Sequence, residues 1–433
     1  MNAPHGSLTR DPTAALLPPC FFAIAVAAFA LALVAAPFLL DQVAAFFYQP
    51  RVLALTHVLT LGWVSMTIQG VLYRYVPGLT KRPIPHPRLA VLQGATFALG
   101  AAGLVAGFWV HRWGPVVWSA GLLVASAALL CANLWPMLLA SPRRGVAEVG
   151  LLISTTFLVV AAALGMLLAV DKNWPVLRGN VLTNLAAHAH LAALGWVGAT
   201  IVALSFRFLP AFLLPTVDLT PVAKRLVVAL AVAVAVLATL LLLQHDVAWA
   251  AGAALATLVL VYVVLLLRVV ASRRMPMDWT AWHAVTSAGW VAVAAIVGVA
   301  LAVVGGDDTL GARLAAAYGI AGIVGWMSNL IVGISYKLFP GFVAAARAQR
   351  GRPAVPLAVL AVPAVIQPIV FLSFNTGVVA LVLGLLAERS LPVQVGGTVL
   401  AGAGVLYALA TGRTLLFTVR DPRGDRNPLS VLP

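Results

Sequence analysis

The chain has 433 residues, 62% of them apolar and 9% charged, with a formal net charge of +15. Soluble globular domains carry roughly 25% charged residues, so this composition excludes a water-soluble fold and makes lipid the main solvent. Its two cysteines, Cys20 and Cys131, sit far apart in apolar sequence with no C-x-x-C spacing, which argues against a disulfide framework or a thiolate metal site and reads as packing.

A helix of about 20 apolar residues crosses the hydrocarbon core. In chain order the sequence predicts twelve such spans, at 14–40, 53–77, 89–110, 114–140, 146–170, 182–210, 224–243, 247–270, 283–304, 312–340, 356–386 and 391–418. Pro363 and Pro368 interrupt the eleventh, whose apolar run is too long for one straight crossing. Residues 1–13 are short and polar, and the first apolar run exceeds a signal peptide's core, so span 1 reads as a retained span that starts inside.

Charge tests this topology independently. With both termini cytoplasmic, most Lys and Arg fall inside: Lys81, Arg82 and Arg88; Arg143 and Arg144; Lys224 and Arg225; Arg273 and Arg274; Arg347, Arg350 and Arg352; and Arg420, Arg423 and Arg426 in the tail. The acids divide evenly between the sides, so the net charge reports orientation and attraction to anionic lipid, and nucleic acid is not an expected partner. The expectation is one all-α polytopic membrane domain, 1–433, in a bacterial-type inner membrane, with cytoplasmic tails at 1–13 and 419–433.

Spans 2, 6 and 10 repeat one another. HVLTLGWVSMTIQGVLYRYVPGL from His57 aligns with HLAALGWVGATIVALSFRFLPAF from His190 and with GWMSNLIVGISYKLFPGF from Gly325. Trp63, Trp196 and Trp326 match, as do Arg74, Arg207 and Lys337, and Pro77, Pro210 and Pro340. The pattern predicts three pseudo-repeated four-helix units, with signature helices at 53–77, 182–210 and 312–340. Glycine, tryptophan, cation and proline have a structural explanation: close packing, an interface, snorkelling and helix termination.

The histidines are different. His57 and His190 share one register, where the third copy has Ile320. An ionisable residue inside a span is costly and is a functional hypothesis by default, although a lone histidine also serves as a neutral core hydrogen-bonding residue. His188 and His190 lie about 200° apart around an ideal helix and project to opposite sides. Neutral imidazole in an apolar bundle suits iron ligation. On this reading His57 and His190 share one heme and His188 addresses a second centre. Arg51, Arg112, Arg178, Arg313 and Arg389 are the outer-side arginines available to propionates.

Twelve spans in three arcs, outer-side histidines in spans 2 and 6 and an H-x-H element resemble subunit I of the heme-copper oxidases, especially the C-type (cbb) branch. The chain is also similar to stand-alone subunit I-like proteins and to the NnrS family of heme- and copper-containing proteins linked to nitric oxide tolerance. The resemblance implies that His57 is an axial ligand of a heme b, and that Arg389, in the outer loop after span 11, holds a propionate. In that family the H-x-H lies in span 10; here Tyr318 and Ile320 occupy that register, and His188 and His190 of span 6 carry the motif, shifted by one repeat or arisen separately. The family's copper site needs a histidine pair in the next span, and 224–243 has none. The resemblance thus implies b-heme electron transfer or the handling of a small gas such as nitric oxide, with a respiratory electron donor or cytochrome subunit as partner and copper as an optional addition. Full oxygen reduction is not expected.

Other polar residues rank lower. His111 and His245 are in outer turns, His86 is in an inner loop, His5 is in the tail and His283 makes local hydrogen bonds at the start of span 9. Tyr318, Ser328, Asn329 and Lys337 line an aqueous path or bond between helices, and Met66, Met166 and Met327 are packing. Two other classes fit the same spans: a transporter or channel, which internal repeats also suit, and a non-catalytic assembly partner of respiratory enzymes. No P-loop, nucleophile elbow or H-E-x-x-H supports soluble hydrolase chemistry.

Overall fold

The computed structural model describes residues 12–142, 144–305 and 308–420. His5, Arg143, Arg423 and Arg426, with residues 1–11 and 421–433 of the two expected tails, lie outside the described residues. Among the described residues no strand occurs, and 12 helices are long and apolar enough to cross a membrane. They are α1 (Ala15–Ala45), α2 (Pro50–Thr80), α3 (Pro87–Trp109), α4 (Trp113–Leu139), α5 (Val146–Asp171), α6 (Val181–Leu213), α7 (Thr220–Leu242), α8 (Ala248–Ala271), α9 (Trp279–Val304), α10 (Thr309–Gln349), α11 (Ile366–Leu386) and α12 (Ser390–Leu416). The protein is an all-α polytopic membrane protein. Helices satisfy this solvent because each closes its own backbone hydrogen bonds.

Two expectations about helix ends are corrected. The signature prolines do not terminate their helices: Pro77, Pro210 and Pro340 lie inside α2, α6 and α10. Proline removes only its own hydrogen-bond donor, and the chain turns off a few residues later. Lys81 and Leu214 adopt left-handed φ of 53° and 47°, and each N–H closes onto the carbonyl of Pro77 or Pro210. The eleventh crossing begins at Ile366; the apolar sequence before it forms a one-turn helix, Leu357–Leu360, and then a break around Pro363.

Packing follows chain order. Each helix lies against the next, and α12 returns to α1 to close the ring. The signature helices α2, α6 and α10 are the most buried of the twelve. All three widen into π-helix at matching places: Val58–Ser65, Leu191–Gly198 and Ile320–Ser328. Continuous π-helix is rare and is found mostly as single-turn bulges near functional positions.

Close approach explains the small residues. A Cβ added to Gly62, Gly195 or Gly325 would lie 2.8 Å from Ala28 Cβ, 2.6 Å from Phe157 Cγ or 2.6 Å from Trp290 Cγ. Two turns further on, added Cβ atoms would place Gly70 2.9 Å from Phe21 Cβ, Gly150 2.3 Å from Ala203 Cβ and Gly333 2.3 Å from His283 Cβ. Thus α1 meets α2, α5 meets α6 and α9 meets α10 at matching registers.

The signature helices also touch one another. Trp196 Nε1 donates to Ser65 Oγ at 3.0 Å, and Trp326 packs on Gly198. Towards the end rich in Lys and Arg, Arg207 Nε donates to Tyr75 Oη at 3.1 Å, Lys337 Nζ lies 4.7 Å from the Phe212 ring and the Arg74 guanidinium 5.8 Å from the Phe342 ring. Here α6 reaches α2, α10 reaches α6, and α2 reaches α10.

At the same end arginines from the last turn of α10 and the loop after it cap α12. Arg347, 1% exposed, donates from Nε and Nη2 to the Pro353 carbonyl and from Nη1 to those of Phe417 and Arg420. Arg350 and Arg352 donate to the carbonyls of Thr418 and Val419. Terminal helix carbonyls lack intrahelical partners and carry the negative end of the dipole, so three cations stabilise them.

Candidate cofactor site

The three histidines gather at the opposite end of the bundle from Arg74, Arg207 and Lys337. His57 and His190 each stand immediately before a π segment, and their Nδ1 atoms bond backbone carbonyls one turn back: Leu53 at 2.7 Å and Ala186 at 2.8 Å. His188 Nδ1 bonds the Ala161 carbonyl of α5 at 3.0 Å. A carbonyl only accepts, so all three rings carry their proton on Nδ1 and present a lone pair at Nε2. A carbonyl acceptor at Nδ1 fixes the tautomer and the orientation of each ring.

The faces of α6 separate the H-x-H pair. His188 turns towards α5, where an added Gly165 Cβ would lie 2.8 Å from its Cε1. His190 turns towards α10, where its Nε2 accepts from Tyr318 Oη at 3.3 Å and the two rings lie 6.2 Å apart. The two histidines of the H-x-H element therefore face different neighbours, His188 towards α5 and His190 towards α10. All three histidines are half-buried.

Aromatic residues and two cations surround His57. Its ring lies 5.1 Å from Phe108, which is edge-on to Trp113 at 5.7 Å. Lys172 Nζ sits over Tyr48 at 4.6 Å and over Trp113 at 5.4 Å, and the Arg51 guanidinium sits over Trp109 at 5.6 Å. Arg51 thus packs on Trp109, the neighbour of Phe108 in sequence. Arg389 is exposed in the turn between α11 and α12, next to Glu388, which pairs with Arg313.

Sequence reasoning missed Ala161, Gly165, Phe108 and Lys172. Lys172 carried a readable signal, an outer-side cation beside an aromatic-rich turn, whereas Gly165 is one of 36 glycines with nothing to single it out. His283 makes an interhelical hydrogen bond where a local one was expected: fully buried in α9, it bonds Asn329 Oδ1 of α10 through Nδ1 at 2.5 Å, and Asn329 in turn donates to Asn375. Among the described residues no three His, Cys, Asp or Glu side chains come together as a metal site, and both cysteines are free.

Comparison with protein-family models and with curated proteins finds no match for this chain.

Proposed function

We propose that this protein binds heme b between His57 and His188 and acts in electron transfer or in handling a small gas such as nitric oxide, as an oxidase subunit I-like membrane protein of three pseudo-repeated four-helix units. The carrying observation is His57 and His188 themselves: two imidazoles from separate helices at the same end of the bundle, each with Nδ1 anchored on a backbone carbonyl. The donor set fits bis-imidazole ligation, because Nε2 of both residues is free to bind iron. Heme bound there supplies one-electron redox chemistry. His57 and His188 would hold it, with Phe108 and Trp113 as apolar neighbours and Arg51 and Lys172 as the cations available to its carboxylates.

His190 has a separate role in this reading. Both of its nitrogens are engaged, one by Ala186 and one by Tyr318, so it faces the space between α6 and α10 as half of a hydrogen-bonded pair. The proposal assigns these residues to heme, with copper as an optional addition. The matching π segments and close contacts of α2, α6 and α10 support the three-unit organisation. The Lys and Arg excess at one end supports a cytoplasmic placement of both termini in a bacterial-type inner membrane. The test is the heme content of protein purified after expression with adequate heme, with its reduced-minus-oxidised spectrum before and after nitric oxide. The proposal expects a b-type spectrum; colourless protein refutes it.

A further inference from the structure

Three cations occupy one register at the Lys- and Arg-rich end, and two have strong partners. Lys337 is paired with Asp278 at 2.6 Å, and Arg207 Nε donates to the Tyr75 hydroxyl at 3.1 Å. Arg74 has neither. Among the described residues no carboxylate pairs with it, and its Nε is buried without a hydrogen-bond acceptor. The contact registers explain the missing acid: Phe21, Gly150 and His283 meet their signature helices at equivalent points, and five residues earlier stand Leu16, Gly145 and Asp278. The residue that neutralises the third cation is thus a leucine in the first unit.

Arg74 lines a cavity of about 40 Å³ between the end of α2, the start of α1 and α10. Pro18, Pro19, Tyr73, Phe342 and Gln349 share its wall. Tyr73 is 2% exposed, and its hydroxyl approaches the Asn133 amide without reaching hydrogen-bond geometry. A water needs about 10–15 Å³ of such space, so the cavity admits a small anion or the oxygens of a phosphate group reaching in from the membrane surface. A guanidinium N–H left unpaired in a buried position costs free energy unless an acceptor arrives, and a charged acceptor forms the stronger bond.

We infer that this cavity binds an anionic group, either the phosphate of an anionic lipid or a free inorganic anion, through Arg74. The inference is independent of heme, since Arg74 and the histidines lie at opposite ends of α2.

The test is thermal unfolding of the purified protein at constant ionic strength, with phosphatidylglycerol, phosphatidylcholine, inorganic phosphate or chloride added in turn. An anionic ligand in excess raises the midpoint by roughly 2 to 4 °C. The rise is expected with phosphatidylglycerol if the source is lipid and with phosphate or chloride if it is free anion; phosphatidylcholine gives none. Arg74→Gln removes the rise, and the control Arg207→Gln keeps it. Where Arg74→Gln does not fold, Arg74→Lys, which retains charge but lacks Nε–H, gives a smaller rise. No rise with any anion, or an undiminished rise in the Arg74 variants, overturns the inference.

Discussion

A neutral imidazole inside a membrane is a ligand in waiting only if its proton is held elsewhere. For His57 and His188 backbone carbonyls hold it, which leaves Nε2 as the free lone pair. Gly165 makes this possible for His188, because the ring lies where any side chain on α5 would stand. Gly165→Ala is expected to push the ring off the Ala161 carbonyl at an overpacking cost of about 1–3 kcal/mol, lowering heme retention about tenfold. Heme-to-protein ratio after purification checks this, and an unchanged ratio means that Gly165 does not position the ring. The sequence made the opposite orientations of His188 and His190 legible, since two residues span about 200°. Which of them faces α5 and which α10 was not legible, because that depends on the rotation of α6 about its own axis.

Apolar length alone made the number of spans readable, because the bilayer sets a minimum that loops do not reach. Ends were less readable, since Pro77 and Pro210 are followed by one more turn and a left-handed cap, and Pro340 by helix to Gln349. The π segments of α2, α6 and α10 were invisible because no residue type encodes them. Packing at these helices yields a paired prediction. Gly333→Ala places a methyl 2.3 Å from His283 Cβ and is expected to destabilise the α9–α10 contact by about 1–3 kcal/mol. Gly341→Ala, in the same helix with nothing within 4 Å of its added Cβ, is neutral or stabilising by up to about 1 kcal/mol. Thermal unfolding of the two variants in detergent separates the cases; equal midpoints contradict the packing account.

Over the whole molecule the chain closes a ring, with His57, His188 and His190 at one end and most of the Lys and Arg at the other. The cationic end is tied together by Arg347 across α10 and α12 and by the contacts of Arg74, Arg207 and Lys337. This polarity predicts orientation. In intact cells a membrane-impermeant thiol reagent is expected to label a cysteine placed at exposed His111 and to miss one placed at exposed Lys81; the reverse labelling would invert the topology.

The decisive comparison is between His188→Ala and His190→Ala, purified beside the unaltered protein and His57→Ala, with reduced-minus-oxidised spectra recorded for each. If iron sits between α2 and α6, the b-type signal disappears in His57→Ala and His188→Ala and survives in His190→Ala. A signal that survives the loss of His188 and is abolished by the loss of His190 contradicts the account.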